Sequence, residues 1–127
     1  DARDAVRSSN TNELLSAIKI DQVDNGGGYL ASMTTITDEE VYMISDTTAG
    51  CDDLNAYCDT SVTSDTHCIN LTGLVTEGYL GAVPISPDGL GAWTSSITGY
   101  TLEKNATGTI QIRACESENT TEIEVVR

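Results

Sequence analysis

The apolar positions change period along the chain, and those changes predict its elements. From Arg3 to Asp24 there is no Pro or Gly, and Leu14, Leu15 and Ile18 share one side at helical spacing. The spacing predicts a helix that ends at Asn25 and the glycines Gly26, Gly27 and Gly28. Its pattern is two-sided, because Ala2, Ala5, Val6, Ile20 and Val23 fall roughly opposite Leu14, Leu15 and Ile18. A helix on the surface of a monomer needs one apolar stripe. Two stripes predict a helix held between its own domain and something else. The alternative is that small residues such as Ala2 and Ala5 sit exposed at a frayed end.

Further on, Val41-Tyr42-Met43-Ile44 is a short apolar run that reads as a strand. Residues 47–66 are too rich in Asp, Ser and Thr for a core and read as a long surface loop. Leu71, Leu74 and Val75 predict a short helix ending near Gly78. An apolar corner, 79–84, leads into a turn-rich loop marked by Pro84, Pro87, Gly89 and Gly91 around Trp93. Strict alternation then takes over. Tyr100 and Leu102, a turn at 105–108, Ile110, Ile112 and Ala114, and finally Ile123 and Val125 predict a hairpin plus one more antiparallel strand. The architecture is α+β, with one N-terminal helix followed by a small antiparallel sheet in a single domain of 127 residues.

Composition narrows the function. Twenty acidic residues stand against six basic ones, a formal net charge of -14, which repels phosphate backbones and anionic headgroups. No nucleic-acid partner is expected at this surface. No apolar run approaches the length of about 18 residues that spans a bilayer. The chain opens on the polar, helix-like Asp1-Ala2-Arg3-Asp4 rather than a signal peptide, so any export segment is expected to be cleaved or to lie upstream. With no Phe present, Trp93 is expected in the core.

Four cysteines, Cys51, Cys58, Cys68 and Cys115, are an even number in a short acidic chain, which favours disulfides. The spacings lack the C-x2-C knuckle of a zinc site. Of three pairings, Cys51–Cys58 with Cys68–Cys115 needs the least rearrangement and is the expected one. No catalytic motif is present: the glycine triplet has no Lys-Ser/Thr after it, and His67 is a lone loop histidine expected to be an ordinary surface residue. No enzymatic activity and no obligate cofactor are expected. Calcium is the ion that the loop carboxylates suit, with Asp52, Asp53, Asp59 and Asp88 as candidate ligands and Asp65 in the same loop. Sequons occur at Asn70, Asn105 and Asn119.

Two segments together resemble the type IV pilin and pseudopilin family. The first runs Asp1-Ala2-Arg3-Asp4-Ala5-Val6-Arg7, Leu14-Leu15-Ser16-Ala17-Ile18 and Asp24-Asn25-Gly26-Gly27-Gly28-Tyr29-Leu30. It is similar to the second half of a pilin's long helix and its exit. The second, Leu74-Val75-Thr76-Glu77-Gly78-Tyr79-Leu80 with Val83-Pro84, Pro87 and Gly99-Tyr100-Thr101, resembles the short helix, corner and hairpin strand of such proteins. The resemblance implies that 1–25 is the C-terminal half of the long helix, 26–98 a loop region and 99–127 antiparallel strands. It also implies a filament subunit outside the cell, anchored in the inner membrane before assembly through an upstream apolar helix. The partners would be other subunits, met through an assembly face of Ala2, Ala5 and Val6. Two departures stand out: the apolar half-helix beginning with Phe is not in this chain, and two disulfides exceed the single C-terminal one often seen. The competing reading is a secreted, disulfide-stabilised adhesin or glycan-binding module, with Trp93, Tyr79 and Tyr100 stacking on a sugar.

Overall fold

The computed structural model describes residues 2–28, 30–119 and 121–127. Asp1 and Tyr29, which belong to the first resembling segment, and Thr120, in the polar break before the last strand, lie outside the described residues. The fold is α+β: a long N-terminal helix, α1 (Ala2–Asp24), packs on a five-stranded, mostly antiparallel sheet. Two glycines stop the helix as the sequence predicts. Gly26 takes φ 66°, its amide reaching Val23 O at 3.2 Å while that of Gly27 reaches Gln22 O at 2.7 Å. These two bonds satisfy carbonyls that the helix end would leave open.

The strands are β1 (Val41–Ile44), β2 (Cys68–Ile69), β3 (Tyr100–Lys104), β4 (Ile110–Ala114) and β5 (Glu124–Val126), in the order β2-β1-β3-β4-β5. Short helices α2 (Ala31–Thr34) and α3 (Thr72–Thr76) lie in the connections. β3 and β4 form the predicted hairpin, with Leu102 opposite Ile112, and β5 adds antiparallel to β4. The sheet is not wholly antiparallel, which corrects the sequence reading. β2 runs parallel to β1, pairing Met43 with Cys68, because the long connection between them returns to the same edge.

Each face of the sheet has its own apolar cluster. Leu14, Leu15 and Ile18 of α1 pack on Tyr42, Ile44, Tyr100, Leu102, Ile110 and Ile112. Full burial of such side chains stabilises by about 1.5–3 kcal/mol each. On the opposite face Met43, Cys51, Val62, Trp93 and Cys115 form a smaller cluster. All four residues of β1 are therefore buried, which is why its sequence is an unbroken apolar run rather than an alternation.

The second cluster contains the disulfides, and their pairing differs from the expected one. Cys51 bonds Cys68, and Cys58 bonds Cys115, with Cα atoms 5.7 and 4.0 Å apart. The reason is tertiary. The Cys51 amide donates to Asp65 O at 3.1 Å, which aligns the loop with the entry to β2. The Asp59 amide donates to Cys115 O at 2.7 Å, which lays Cys58 beside the end of β4. Two disulfides suggest an oxidising, extracellular or periplasmic setting. Among the described residues no helix is long and apolar enough to cross a membrane.

Candidate functional site

The buried side of α1 runs through Asp4, Arg7, Thr11, Leu14, Leu15, Ile18 and Asp21, one residue per turn or two. The opposite side is open. Ala2 and Ala5 are exposed, and Val6, Ile20 and Val23 are 47%, 51% and 77% exposed. Ser9 and Ser16 fall between them, so small or apolar residues make up most of the outer stripe, with Glu13 and, at its end, Asp24 as its charges. The expected assembly residues Ala2, Ala5 and Val6 thus form one continuous face with Ile20 and Val23. α1 is helical from Ala2 onward.

At its first turns α1 carries a feature that sequence reasoning missed. Arg7 is fully buried, yet charged. Its guanidinium donates to Asp4 Oδ1 at 2.8 Å, Glu118 Oε2 at 2.7 Å, Ser86 Oγ at 3.2 Å and Pro87 O at 3.0 Å. Glu116 stands 3.8 Å away and is itself buried. Glu116 in turn accepts the Trp93 indole N–H at 3.1 Å and the Leu90 amide at 2.6 Å. Burial disfavours the Arg7 charge, but bonds from Glu118 and Asp4 outweigh it and hold the group above its ordinary value. Burial likewise raises the Asp4 carboxyl. The amides of Asn119 and Glu118 and the Arg7 guanidinium more than reverse that and leave it below its ordinary value. This hub locks α1 to the 86–93 loop and to the segment after β4. A signal was available: Asp4 and Arg7 sit one turn apart, at ion-pair spacing.

Trp93 is 5% exposed, and the backbones of Gly91 and Gly99 lie so close to its indole that neither has room for a Cβ. A Cβ on Gly99, at φ 84°, would lie 2.8 Å from the indole. Tyr100 is fully buried, so Trp93, Tyr79 and Tyr100 do not form an exposed sugar platform.

His67 is less ordinary than expected. It stacks on Tyr42 with ring centroids 4.3 Å apart, bonds Glu40 through Nε2 at 2.5 Å, and bonds the Ser64 hydroxyl through Nδ1. Serine, histidine and carboxylate in a row are the parts of an activated nucleophile. However, the neighbouring cleft of about 480 Å³, which Tyr42, Thr66, His67 and Asn70 help to line, does not include Ser64. The row fastens the loop before β2 to the strand entrance.

Of the candidate calcium ligands, Asp52 and Asp53 come together, with Asp65, so that one carboxylate oxygen from each lies within 4.8 Å of the others. Burial and a hydrogen bond shared with Asp65 push the Asp52 carboxyl above its ordinary value. Asp59 is placed elsewhere, accepting from Ser117 at 2.6 Å, and Asp88 accepts the Trp93 amide at 3.0 Å. Crowded carboxylates of this kind suit a hard cation. Melting in calcium against chelator reads whether one binds, since a native-state ligand raises the midpoint. The sequon residues Asn70 and Asn119 are exposed, and Asn105 is half-buried.

Compared with known proteins, the chain matches no family model, and neither a curated protein nor a solved structure is significantly similar to it.

Proposed function

We propose that this chain is the globular part of a subunit of a type IV pilin-like filament, working through assembly and surface contacts rather than catalysis. One observation carries the reading: α1 is sealed against its own sheet on one side and on the other shows a largely small-and-apolar stripe, interrupted by Glu13 and ended by Asp24. Exposed apolar surface on an otherwise strongly acidic protein needs a partner that covers it. In a filament, neighbouring helices would cover its N-terminal part, Ala2, Ala5 and Val6. The reading also calls for an apolar helical segment encoded directly before Asp1, which the gene sequence tests. If only a cleavable leader is encoded there, the binding-module alternative takes its place.

Two substitutions in the full-length protein separate assembly from folding. Val6→Glu, on the open side, changes the stability of the domain by no more than about 0.5 kcal/mol, because Val6 is 47% exposed and lies outside both apolar clusters. In the filament the same charge would be buried unpaired, so filament yield falls at least about tenfold. Ile18→Ala, on the sealed side, costs about 2–4 kcal/mol of stability by opening a cavity under the sheet. Urea unfolding and electron microscopy of sheared filaments give the two readouts. Normal filaments from Val6→Glu would sink the proposal.

A further inference from the structure

The chain has six basic residues, and four of them are matched inside the molecule. Arg3 pairs with Glu118, Arg7 with Asp4 and Glu118, Lys104 with Asp38, and Arg113 with Glu103. Among the described residues, Lys19 and Arg127 alone have no carboxylate partner. Their polar contacts are weak and neutral, Lys19 Nζ to Gln22 Oε1 at 3.4 Å and an Arg127 guanidinium nitrogen to Ser16 Oγ at 3.3 Å. In a protein with twenty acidic residues, two adjacent unmatched cations are unexpected.

They line one groove of about 310 Å³, together with Ser16, Ile20, Val23 and Asp24. The Asp24 carboxylate also lines the groove, accepting the Tyr79 hydroxyl at 2.6 Å, so two cationic side chains share it with one carboxylate. Partial burial and the nearby Arg127 charge hold the Lys19 amine below its ordinary value, so each cation makes the other less comfortable. The groove thus has an apolar floor and a rim whose side chains carry a net positive charge. It lies at the C-terminal end of α1.

The complementary shape lies at the other end of the same helix. Leu90 is 82% exposed, more than any other large apolar side chain described. It is not on a loose loop. Its amide donates to the buried Glu116 at 2.6 Å, the Gly91 amide donates to the same carboxylate, and Arg3 reaches Asp88 O at 3.1 Å. Asp88 and Glu118 stand near it, and the four carboxylates of that end, Asp4, Asp88, Glu116 and Glu118, outnumber Arg3 and Arg7. A rigid apolar tip in an acidic setting loses little entropy on docking. Tip and groove are separated by roughly 25 Å, the rise from Arg3 to Ile20 along the helix.

We propose that Leu90 of one copy seats in the Lys19–Arg127 groove of the next, with Asp88 and Glu118 facing the two cations. Different patches meet in this contact, so it does not close on itself by two-fold symmetry and repeats head to tail. It rests on the filament reading for the place where it operates, and it names which surfaces of successive subunits meet.

The test uses the 127-residue protein with a photo-crosslinking benzoylphenylalanine at position 90, irradiated at millimolar concentration. Physiological salt, with a Debye length of about 8 Å, screens the mutual repulsion of the acidic molecules but not contact pairs. The expected product joins position 90 of one copy to residues 16–24 or 127 of another. Reversing both cations, Lys19→Glu with Arg127→Glu, should cut its yield about tenfold while leaving the circular dichroism unchanged. A product mapped to any other surface, or an undiminished yield after the reversal, overturns the proposal. Normal filaments from the doubly reversed full-length protein also overturn it, while leaving the filament reading intact. A product at the groove from a protein whose Val6→Glu form assembles normally does the opposite: it keeps this contact and removes the helix stripe from the filament interior.

Discussion

Arg7→Ala is expected to lower stability by about 3–5 kcal/mol, the usual cost of removing one partner from a buried ion cluster. The loss exceeds that of the bonds themselves. Without the guanidinium, the cation shared by Asp4, Glu116 and Glu118 is gone, and of the two arginines of this cluster only the half-exposed Arg3 remains, on Glu118. For a domain of this size the melting midpoint should fall by roughly 10–20 °C. A control is built into the same cluster: Arg3 also pairs with Glu118, at 2.6 Å, but its side chain is 52% exposed. Arg3→Ala should cost less than about 1 kcal/mol. The pH dependence has a definite sign. The folded-state value of Asp4 is depressed below 3.8, so its contribution is present above that pH and is lost as pH falls through the lower folded value. In Arg7→Ala the uncompensated carboxylates gain from protonation, so the gap between the two proteins narrows in acid. Urea unfolding at neutral pH and at a series of pH values running below 3.8 measures both effects. A cost under 1 kcal/mol at neutral pH would show that the cluster is not what docks the helix.

Removing the Cys58–Cys115 bond is the second large effect. That bond closes a sequence separation of 57 residues, against 17 for Cys51–Cys68. Chain-entropy reasoning assigns about 4 kcal/mol to the longer loop and about 3 kcal/mol to the shorter. Cys58→Ser with Cys115→Ser should therefore destabilise more than Cys51→Ser with Cys68→Ser. Peptide mapping without reduction checks the pairing directly, but trypsin is the wrong tool, because no Lys or Arg occurs between Lys19 and Lys104. Cleavage at aspartate separates the cysteines, since Asp52, Asp53, Asp59 and Asp65 lie among them. Peptides joining Cys51 to Cys58 would contradict the structure.

What could be read from the sequence was local. The helix needs only the spacing of Leu14, Leu15 and Ile18 and the glycines that end it, and the hairpin needs only alternation around a turn. Both lie where expected. What escaped depends on residues far apart. β2 is two residues long and becomes a strand only because β1 lies beside it. Arg7 looks like a surface residue until Glu116 and Glu118, more than a hundred positions away, close over it. The acidic trio includes Asp65 because Gly50 and Cys51 fold back on it through their amides. The outer stripe of α1 was legible as a pattern, and the helix shows that its residues are exposed.

The two disulfides interleave: each bridges out of the loop that the other closes. This has a consequence for the living cell. A chain threaded through a translocation pore presents Cys51 and Cys58 first, before either native partner has emerged. Oxidation in order of arrival would join those two and trap a non-native link. Cys115 comes last of the four, so the correct Cys58 bond cannot form until the chain 57 residues beyond Cys58 is across. Mispaired intermediates rearrange by thiolate attack on a disulfide sulfur. Export of this protein should accordingly depend on a reshuffling catalyst as well as an oxidant. Cells lacking a disulfide isomerase should accumulate it misbridged, whereas a protein whose cysteines pair in sequence order would be spared.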